Sequence, residues 1–300
     1  MSNKKNTTTD YKFIDLFAGI GGFHLAFHKA GAKCVFVSEW NEHARKTYEH
    51  NFKKIQPELF KDKDNKLFAG DITKINAKDI PDFDILTGGF PCQPFSQAGH
   101  KKGFSDTRGT LFHDIVRIIK EKQPQAFFIE NVRHLLKHDN GKTFEVIKKT
   151  IEDELGYSFH YKIVKASDFG LPQHRPRLFM VGFRDKSIPF EFPKPTGLKK
   201  TMTDIWGEPC AREVGYTLRC GGRGSDITDR RNWDSYRVNG KVKRLTPKEG
   251  KKMMGFPDNF VFPVTNTQAM KQLGNAVAVD AIQAVAKQII LTLNKYADGK

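Results

Sequence analysis

Two textures of hydrophobic and polar positions divide the chain. Through residue 182, short apolar runs of strand length alternate with longer stretches whose apolar residues recur at helical spacing. Residues 12–16, 34–37, 84–86, 126–129, 159–164 and 178–182 read as strands. Helices are predicted where Phe23 precedes Leu25, Ala26 and Phe27, and over 42–51, 110–120 and 144–155. In 110–120, Leu111, Ile115, Ile118 and Ile119 fall on one face, and Gln123-Pro124 ends the element. Strand and helix in regular alternation predict an α/β fold, a doubly wound and mostly parallel sheet. Residues 52–67, lysine-rich and acidic by turns, read as a surface insertion. At Ser187-Ile188-Pro189 the alternation stops, and Pro189, Pro193 and Pro195 break any long element. The expected division is therefore a first domain over 1–186 and a smaller, loop-rich second domain with its hinge over 187–271. A C-terminal segment follows over 272–300, whose apolar tail 276–293 is too rich in core residues to hang free.

Composition adds the partner. A chain of 300 residues can bury a substantial core, and its net charge of +16 points to an extended polyanion. The charge is concentrated: residues 184–252 hold 17 lysines and arginines against 9 acids. Within that stretch, 217–240 sets arginine, asparagine and aromatic side chains on short strands and glycine loops, a texture that suits a DNA groove because arginine's fork matches guanine and phosphate alike. A solvated basic surface is the plainer alternative. No uninterrupted run of about 18 apolar residues occurs, so no membrane span is expected. Residues 1–10 read as a frayed polar tail. Cys34, Cys92, Cys210 and Cys220 have neither metal-ligand spacing nor the density of a disulfide scaffold, so no metal and a cytoplasmic setting are expected.

Candidate chemistry gathers at the expected strand ends. Cys92 stands in Gly88-Gly89-Phe90-Pro91-Cys92-Gln93-Pro94-Phe95-Ser96, a tight loop past the strand at 84–86. Open α/β sheets place ligands there, and helix-terminal amides or cations nearby favour the nucleophilic thiolate. A small buried hydrophobe beside a proline turn is the ordinary alternative. Phe17-Ala18-Gly19-Ile20-Gly21-Gly22 joins a strand to a helix with glycines that admit close approach, although not in dinucleotide spacing. Glu39, at the tip of the second strand, is placed to accept both hydroxyls of a ribose. Trp40 can stack on an adenine or serve as core, and Asp71 can accept from an adenine amino group or cap the next turn. Residues 99–109, basic and punctuated by glycine, suggest a loop that closes on substrate. Glu130, delivered by the strand at 126–129, is expected beside Cys92 because adjacent parallel strands bring their tips together; helix capping is the alternative.

Six motifs in order carry a resemblance. Gly89-Phe90-Pro91-Cys92-Gln93 follows the 17–22 loop and precedes Glu130-Asn131-Val132 and Gln173-His174-Arg175-Pro176-Arg177. Then come Arg244-Leu245-Thr246-Pro247 with Met254-Gly255-Phe256-Pro257, and finally Gln272-Leu273-Gly274-Asn275. The chain resembles the DNA cytosine-5 methyltransferases, closest in length and layout to the bacterial restriction-modification enzymes. The resemblance implies the S-adenosylmethionine-dependent methyltransferase fold, with residues 272–300 returning to complete the cofactor pocket. It implies S-adenosyl-L-methionine as cofactor, held by Phe17, Gly19, Ile20, Gly21, Gly22, Glu39, Trp40, Asp71, Ile72, Phe90, Pro91, Leu111 and Asn275. Catalysis would rest on Cys92, Glu130, Arg175 and Arg177, the two arginines holding the cytosine and neighbouring phosphates. Double-stranded DNA would be met by Gln93, Ser96, Arg108, Thr217, Leu218, Arg219, Arg223, Arg230 and Arg231. A monomer is expected, working alongside a separate restriction endonuclease. Ala276 departs from the serine of several relatives. A transfer-RNA cytosine methyltransferase shares the chemistry, but that branch's Cys-Phe-Thr motif is missing. A catalytically inactive DNA-binding regulator is opposed by the intact Cys92 and Glu130.

Overall fold

The computed structural model describes residues 11–61, 64, 66–90 and 111–297. Eight strands come first: β1 (Lys12–Leu16), β2 (Lys33–Ser38), β3 (Phe68–Ala69), β4 (Ile85–Gly89), β5 (Ala126–Val132), β6 (His160–Lys165), β7 (Phe169–Gly170) and β8 (Pro176–Phe183). Seven of them form one sheet in the order β3-β2-β1-β4-β5-β8-β6. Pairings from β3 through β5 are parallel, whereas β8 runs antiparallel to both β5 and β6. Period-two alternation sorts the strand residues onto two faces. Phe13, Ile85 and Phe128 enter one core with the helices Gly22–Lys29 and Val279–Ala297. Ile14, Leu86 and Phe127 enter the other with Leu111–Lys122 and Lys142–Lys149. The sheet is thus wound on both faces, and the chain's direction of travel reverses between β1 and β4, where carboxyl ends open a crevice.

The elements differ in places from the sequence expectation. Residues 52–67 are less peripheral than a surface insertion, since Phe52 and Leu59 are fully buried and Pro57–Phe60 forms a 3-10 turn. The helix expected over 144–155 begins at Lys142, and from Thr150 to Glu154 it continues as a wider π-helical turn. Residues 217–234 form no strand; the only hairpin there pairs β10 (Ser235–Val238) with β11 (Lys241–Arg244) across Asn239-Gly240, both at positive φ (47° and 74°). Between β8 and that hairpin lie β9 (Gly197–Leu198), which pairs with β7, and the helix Met202–Trp206, closed by a Thr201–Asp204 capping box.

Gln272 to Asn275 close a helix that runs Asn266–Asn275, so residue 272 falls within an element. Trp233, Tyr236, Leu245, Met253, Met270 and Leu273 share one hydrophobic core with Phe23 and Val285. The stretch Asn266–Tyr296 is long and apolar enough to cross a membrane by length and composition, yet 56% of its apolar window is buried inside the protein. Core packing of the helix Val279–Ala297 against Gly22–Lys29 accounts for that apolarity.

Candidate active site

The crevice is lined first by the turn after β1. Phe17 takes a positive φ of 56°, Ala18 N donates to Ser38 O at 3.0 Å, and Gly19 N donates to Glu39 Oε2 at 2.8 Å. Gly19 itself has φ of 57° and, among the described residues, no atom beyond its own chain neighbours within 4 Å of where a Cβ would stand, so a side chain there would be strained and would occupy an open cradle. Ile20, Gly21 and Gly22 are buried as the turn enters its helix. Glu39's other oxygen accepts from Asn41 N at 2.7 Å. Burial raises the Glu39 pKa, against the pull of those amides and of Arg45. The Gly19 and Asn41 amides use about half of a carboxylate's acceptor capacity, and the Trp40 amide adds to their pull. Trp40 is 78% exposed at the tip of β2, which makes its indole a free stacking face and not core. Asp71 caps the turn Ile72–Lys74 by accepting from Thr73 N and Oγ1 through Oδ1, and its Oδ2 accepts no hydrogen bond among the described residues. Ile72 and Phe90 are buried, Leu111 partly so, and Asn275 is exposed at a helix end.

Two arginines hold this rim in place, and neither carried a sequence signal. Arg45 donates to Glu39 O, Ala69 O and Phe68 O at 3.1, 2.6 and 2.9 Å, clamping the ends of β2 and β3. Arg117 donates to Ile75 O and Ile72 O at 2.8 and 2.6 Å. Behind the glycine turn, Asp15 is fully buried, accepting from His24 N at 3.3 Å. Burial, with Glu39 adding to it, pushes the Asp15 pKa up to about 8.

Glu130 pairs in register with Gly89 on β4, and the place of a Gly89 Cβ lies 3.3 Å from Glu130 Oε2. The carboxyl therefore hangs over the chain that leads into the cysteine loop. On its other side Arg177 Nε sits 3.0 Å from Glu130 Oε1, both side chains largely buried. Burial raises the Glu130 pKa while Arg177 and then Arg175 oppose it. Asn131, given no role from sequence, donates Nδ2 to Phe90 O at 2.8 Å and fixes the end of β4. Cys92, Pro91, Gln93, Ser96, Arg108 and the loop 99–109 lie outside the described residues.

Arg175 departs from the expectation that both arginines face the cytosine. It is 2% exposed, with Nη1 donating to Leu218 O (3.0 Å) and Nη2 to Gly274 O and Ala276 O (2.9 and 2.7 Å). The guanidinium thus ties the turn before β8 to the end of the helix Asn266–Asn275 and to the segment expected at DNA. Gln173, fully buried, works beside it: Leu218 N donates to its Oε1 at 3.1 Å and its Nε2 donates to Met253 O at 3.2 Å. Thr217 Oγ1 donates to His174 O, and Leu218 is buried, backbone and side chain alike.

Arg223 also departs from expectation. Its Nε meets Asp234 Oδ2 at 3.2 Å and its Nη2 donates to Leu245 O at 2.6 Å, so from a partly exposed position it braces the loop. Asp234 is fully buried, and Trp233 Nε1 pins Gly221 O and Gly222 O at 3.1 and 3.0 Å. Arg231 pairs with Asp229 at 2.7 Å, while Arg219 and Arg230 are exposed. Among the described residues no cluster of His, Cys, Asp and Glu could hold a metal.

The description of the C-5 cytosine-specific DNA methylase family matches residues 11–221 and 223–291. The chain belongs to that family, and it is a DNA cytosine-5 methyltransferase. It is 43% identical over 325 residues to the Type II methyltransferase M.SsoII of Shigella sonnei, covering 96% of this chain and 82% of that one. It is 40% identical over 332 residues to M.HhaI of Haemophilus parahaemolyticus, covering 97% and 98%. Its fold matches the crystal structure of the Dnmt2 methyltransferase of S. pombe with a TM-score of 0.70 at 21% identity, over 95% and 99% of the two chains.

Proposed function

We propose that the crevice between β1 and β4 holds S-adenosyl-L-methionine and that Cys92 and Glu130 work on a cytosine flipped out of a specific double-stranded DNA sequence. The observation that carries the reading is the buried Glu130 carboxyl, held by Arg177 over the chain that leads to Cys92. Cofactor chemistry fits the donor set: an exposed indole at Trp40, free acceptor capacity on Glu39, an open oxygen on Asp71 and the cradle at Gly19. Phe17, Ile72, Phe90, Pro91, Leu111 and Asn275 complete the proposed pocket. Bound there, the cofactor supplies an electrophilic methyl group.

Carbon 5 of cytosine is a poor nucleophile until carbon 6 is saturated. The Cys92 thiolate forms the bond to carbon 6, while Glu130 in its protonated form donates to ring nitrogen 3 and takes up the charge that develops there. Burial of Glu130 favours the protonated form, and Arg177 fixes the carboxyl's direction. After carbon 5 carries the methyl, loss of its proton restores the double bond and expels the thiolate. Arg175 acts through Arg177 and the chain, not on the base.

Residues 187–271 would form the target-recognition unit, with 272–300 completing the cofactor side. Partnership with a restriction endonuclease, suggested by the Type II relatives, a monomeric state and a cytoplasmic site belong to the same reading. The test is labelled-methyl transfer to duplex DNA, with the product mapped by bisulfite sequencing. Methyl found at carbon 5 of one cytosine in one sequence supports it, and methyl found only in transfer RNA refutes it.

A further inference from the structure

The arginines of the recognition segment differ in what holds them. Arg223 is spent on Asp234 and Leu245 O, and Arg231 is neutralised by Asp229. Arg230 is exposed on a turn held by short-range contacts, Thr228 to Asp226 and Asn232 N to Asp229 O. Arg219 combines two properties that the others lack together. Its exposed side chain makes no hydrogen bond or ion pair among the described residues, while its backbone is tightly fixed. Leu218, just before it, is bonded at N by Gln173 and at O by Arg175. The carbonyl carbon and oxygen of Arg219 lie 2.3 and 2.5 Å from where a Gly274 Cβ would be, so the helix Asn266–Asn275 presses directly on Arg219.

A free guanidinium on a fixed backbone suits base reading, because the fork then reaches one place with little backbone ordering left to perform. The chain that fixes it runs back to chemistry. From Arg175 the strand β8 begins at Pro176, and Arg177 meets Glu130 at 3.0 Å. Displacement of Leu218–Arg219 would pull on Arg175 and so on the residue that aims the proposed catalytic carboxyl.

We propose that Arg219 is a specificity-determining residue that reads one guanine of the recognition sequence, and that Gln173 and Arg175 position its backbone relative to Arg177 and Glu130. The inference rests on the proposed target-recognition role of this segment. Arginine is the commonest reader of guanine, through paired bonds to O6 and N7, and lysine carries the charge without the planar fork.

The experiment compares wild type with Arg219→Ala, Arg219→Lys and Arg230→Ala. Single-turnover methylation is measured on duplexes carrying each single base-pair change in the wild-type site, at two salt concentrations. Both Arg219 variants are expected to lose roughly 10- to 100-fold of discrimination at one and the same G·C pair, with thermal midpoints unchanged. Arg230→Ala should keep the wild-type preference at that pair. An Arg219→Ala protein with intact preference at every pair overturns the inference. So does a uniform loss across all sequences with the salt slope reduced by about one, the mark of a phosphate contact. A wild type that methylates no duplex at all would instead refute the proposed chemistry, which keeps the two failures apart.

Discussion

Replacing Gly274 with alanine adds one methyl group where residues 219–220 pass against the helix Asn266–Asn275. The new Cβ would stand 2.3 Å from Arg219 C, 2.4 Å from Cys220 N and 2.5 Å from Arg219 O, all backbone atoms, where ordinary contact begins near 3.4 Å. The segment must therefore move by about 1 Å. Helix propensity works the other way, since alanine inside a helix is favoured over glycine by about 1 kcal/mol. Overpacking costs about 1–3 kcal/mol, and loosening the buried Leu218–Arg175 or Leu218–Gln173 bond costs about 1–3 more. The balance is a net destabilisation of about 1–5 kcal/mol, centred near 3. Because a displacement of about 1 Å in a positioned group can cost on the order of 100-fold in rate, kcat/KM for duplex DNA should fall by roughly that factor. Cofactor affinity, followed through Trp40 fluorescence, should change little. Urea unfolding and steady-state methylation measure both effects. A Gly274→Ala protein that is more stable by about 1 kcal/mol, with unchanged kcat/KM, would refute the packing argument.

Two further predictions follow from the buried acids. Asp15 keeps its proton when folded up to about pH 8, against 3.8 unperturbed, so wild-type stability should fall across that window by about 1.4 kcal/mol per pH unit from this group and level off above it. Asp15→Asn removes that slope, and urea unfolding at pH 5.5 and 7.5 should show the variant gaining about 3 kcal/mol on wild type; parallel pH dependences would return Asp15 to an ordinary carboxylate. Glu130→Gln keeps the shape but cannot share a proton, so single-turnover methyl transfer should drop by about a hundred- to ten-thousandfold with base flipping less affected, and an unchanged rate would leave Glu130 a purely structural partner of Arg177.

How far the molecule could be read from its sequence depended on whether periodicity or direction was at stake. The sheet was legible because alternate residues such as Phe13 and Ile14 sort to opposite faces, and the strand at 126–129 leads straight to Glu130. Arg175 was not. The resemblance gives Arg175 and Arg177 one shared role at the cytosine, but Arg175 N bonds to Gln173 O at 3.0 Å, a tight turn just before β8, and the first arginine is buried. Arg223 misled for the same reason, since nothing local announces that Asp234, eleven residues on, is buried to receive it. The hairpin at Asn239-Gly240 carried a recognisable turn dipeptide, yet the strands fall at 235–238 and 241–244, later than the arginine-rich stretch suggested. Arg45 and Arg117 brace the rim of the crevice through backbone carbonyls, which leave no mark in a sequence.

The central claim is that Cys92 forms a transient bond to the target base, and a duplex carrying 5-fluorocytosine at the methylated position tests it directly. The fluorine replaces the proton whose loss releases the enzyme, so wild type with cofactor should form a denaturation-resistant protein–DNA adduct that peptide mapping places on Cys92. Cys92→Ser should bind cofactor and duplex but form no adduct, because a hydroxyl is far less acidic than a thiol and does not add to carbon 6 at a useful rate. An adduct of equal yield in the Cys92→Ser protein, or one mapped to another residue, would contradict the account.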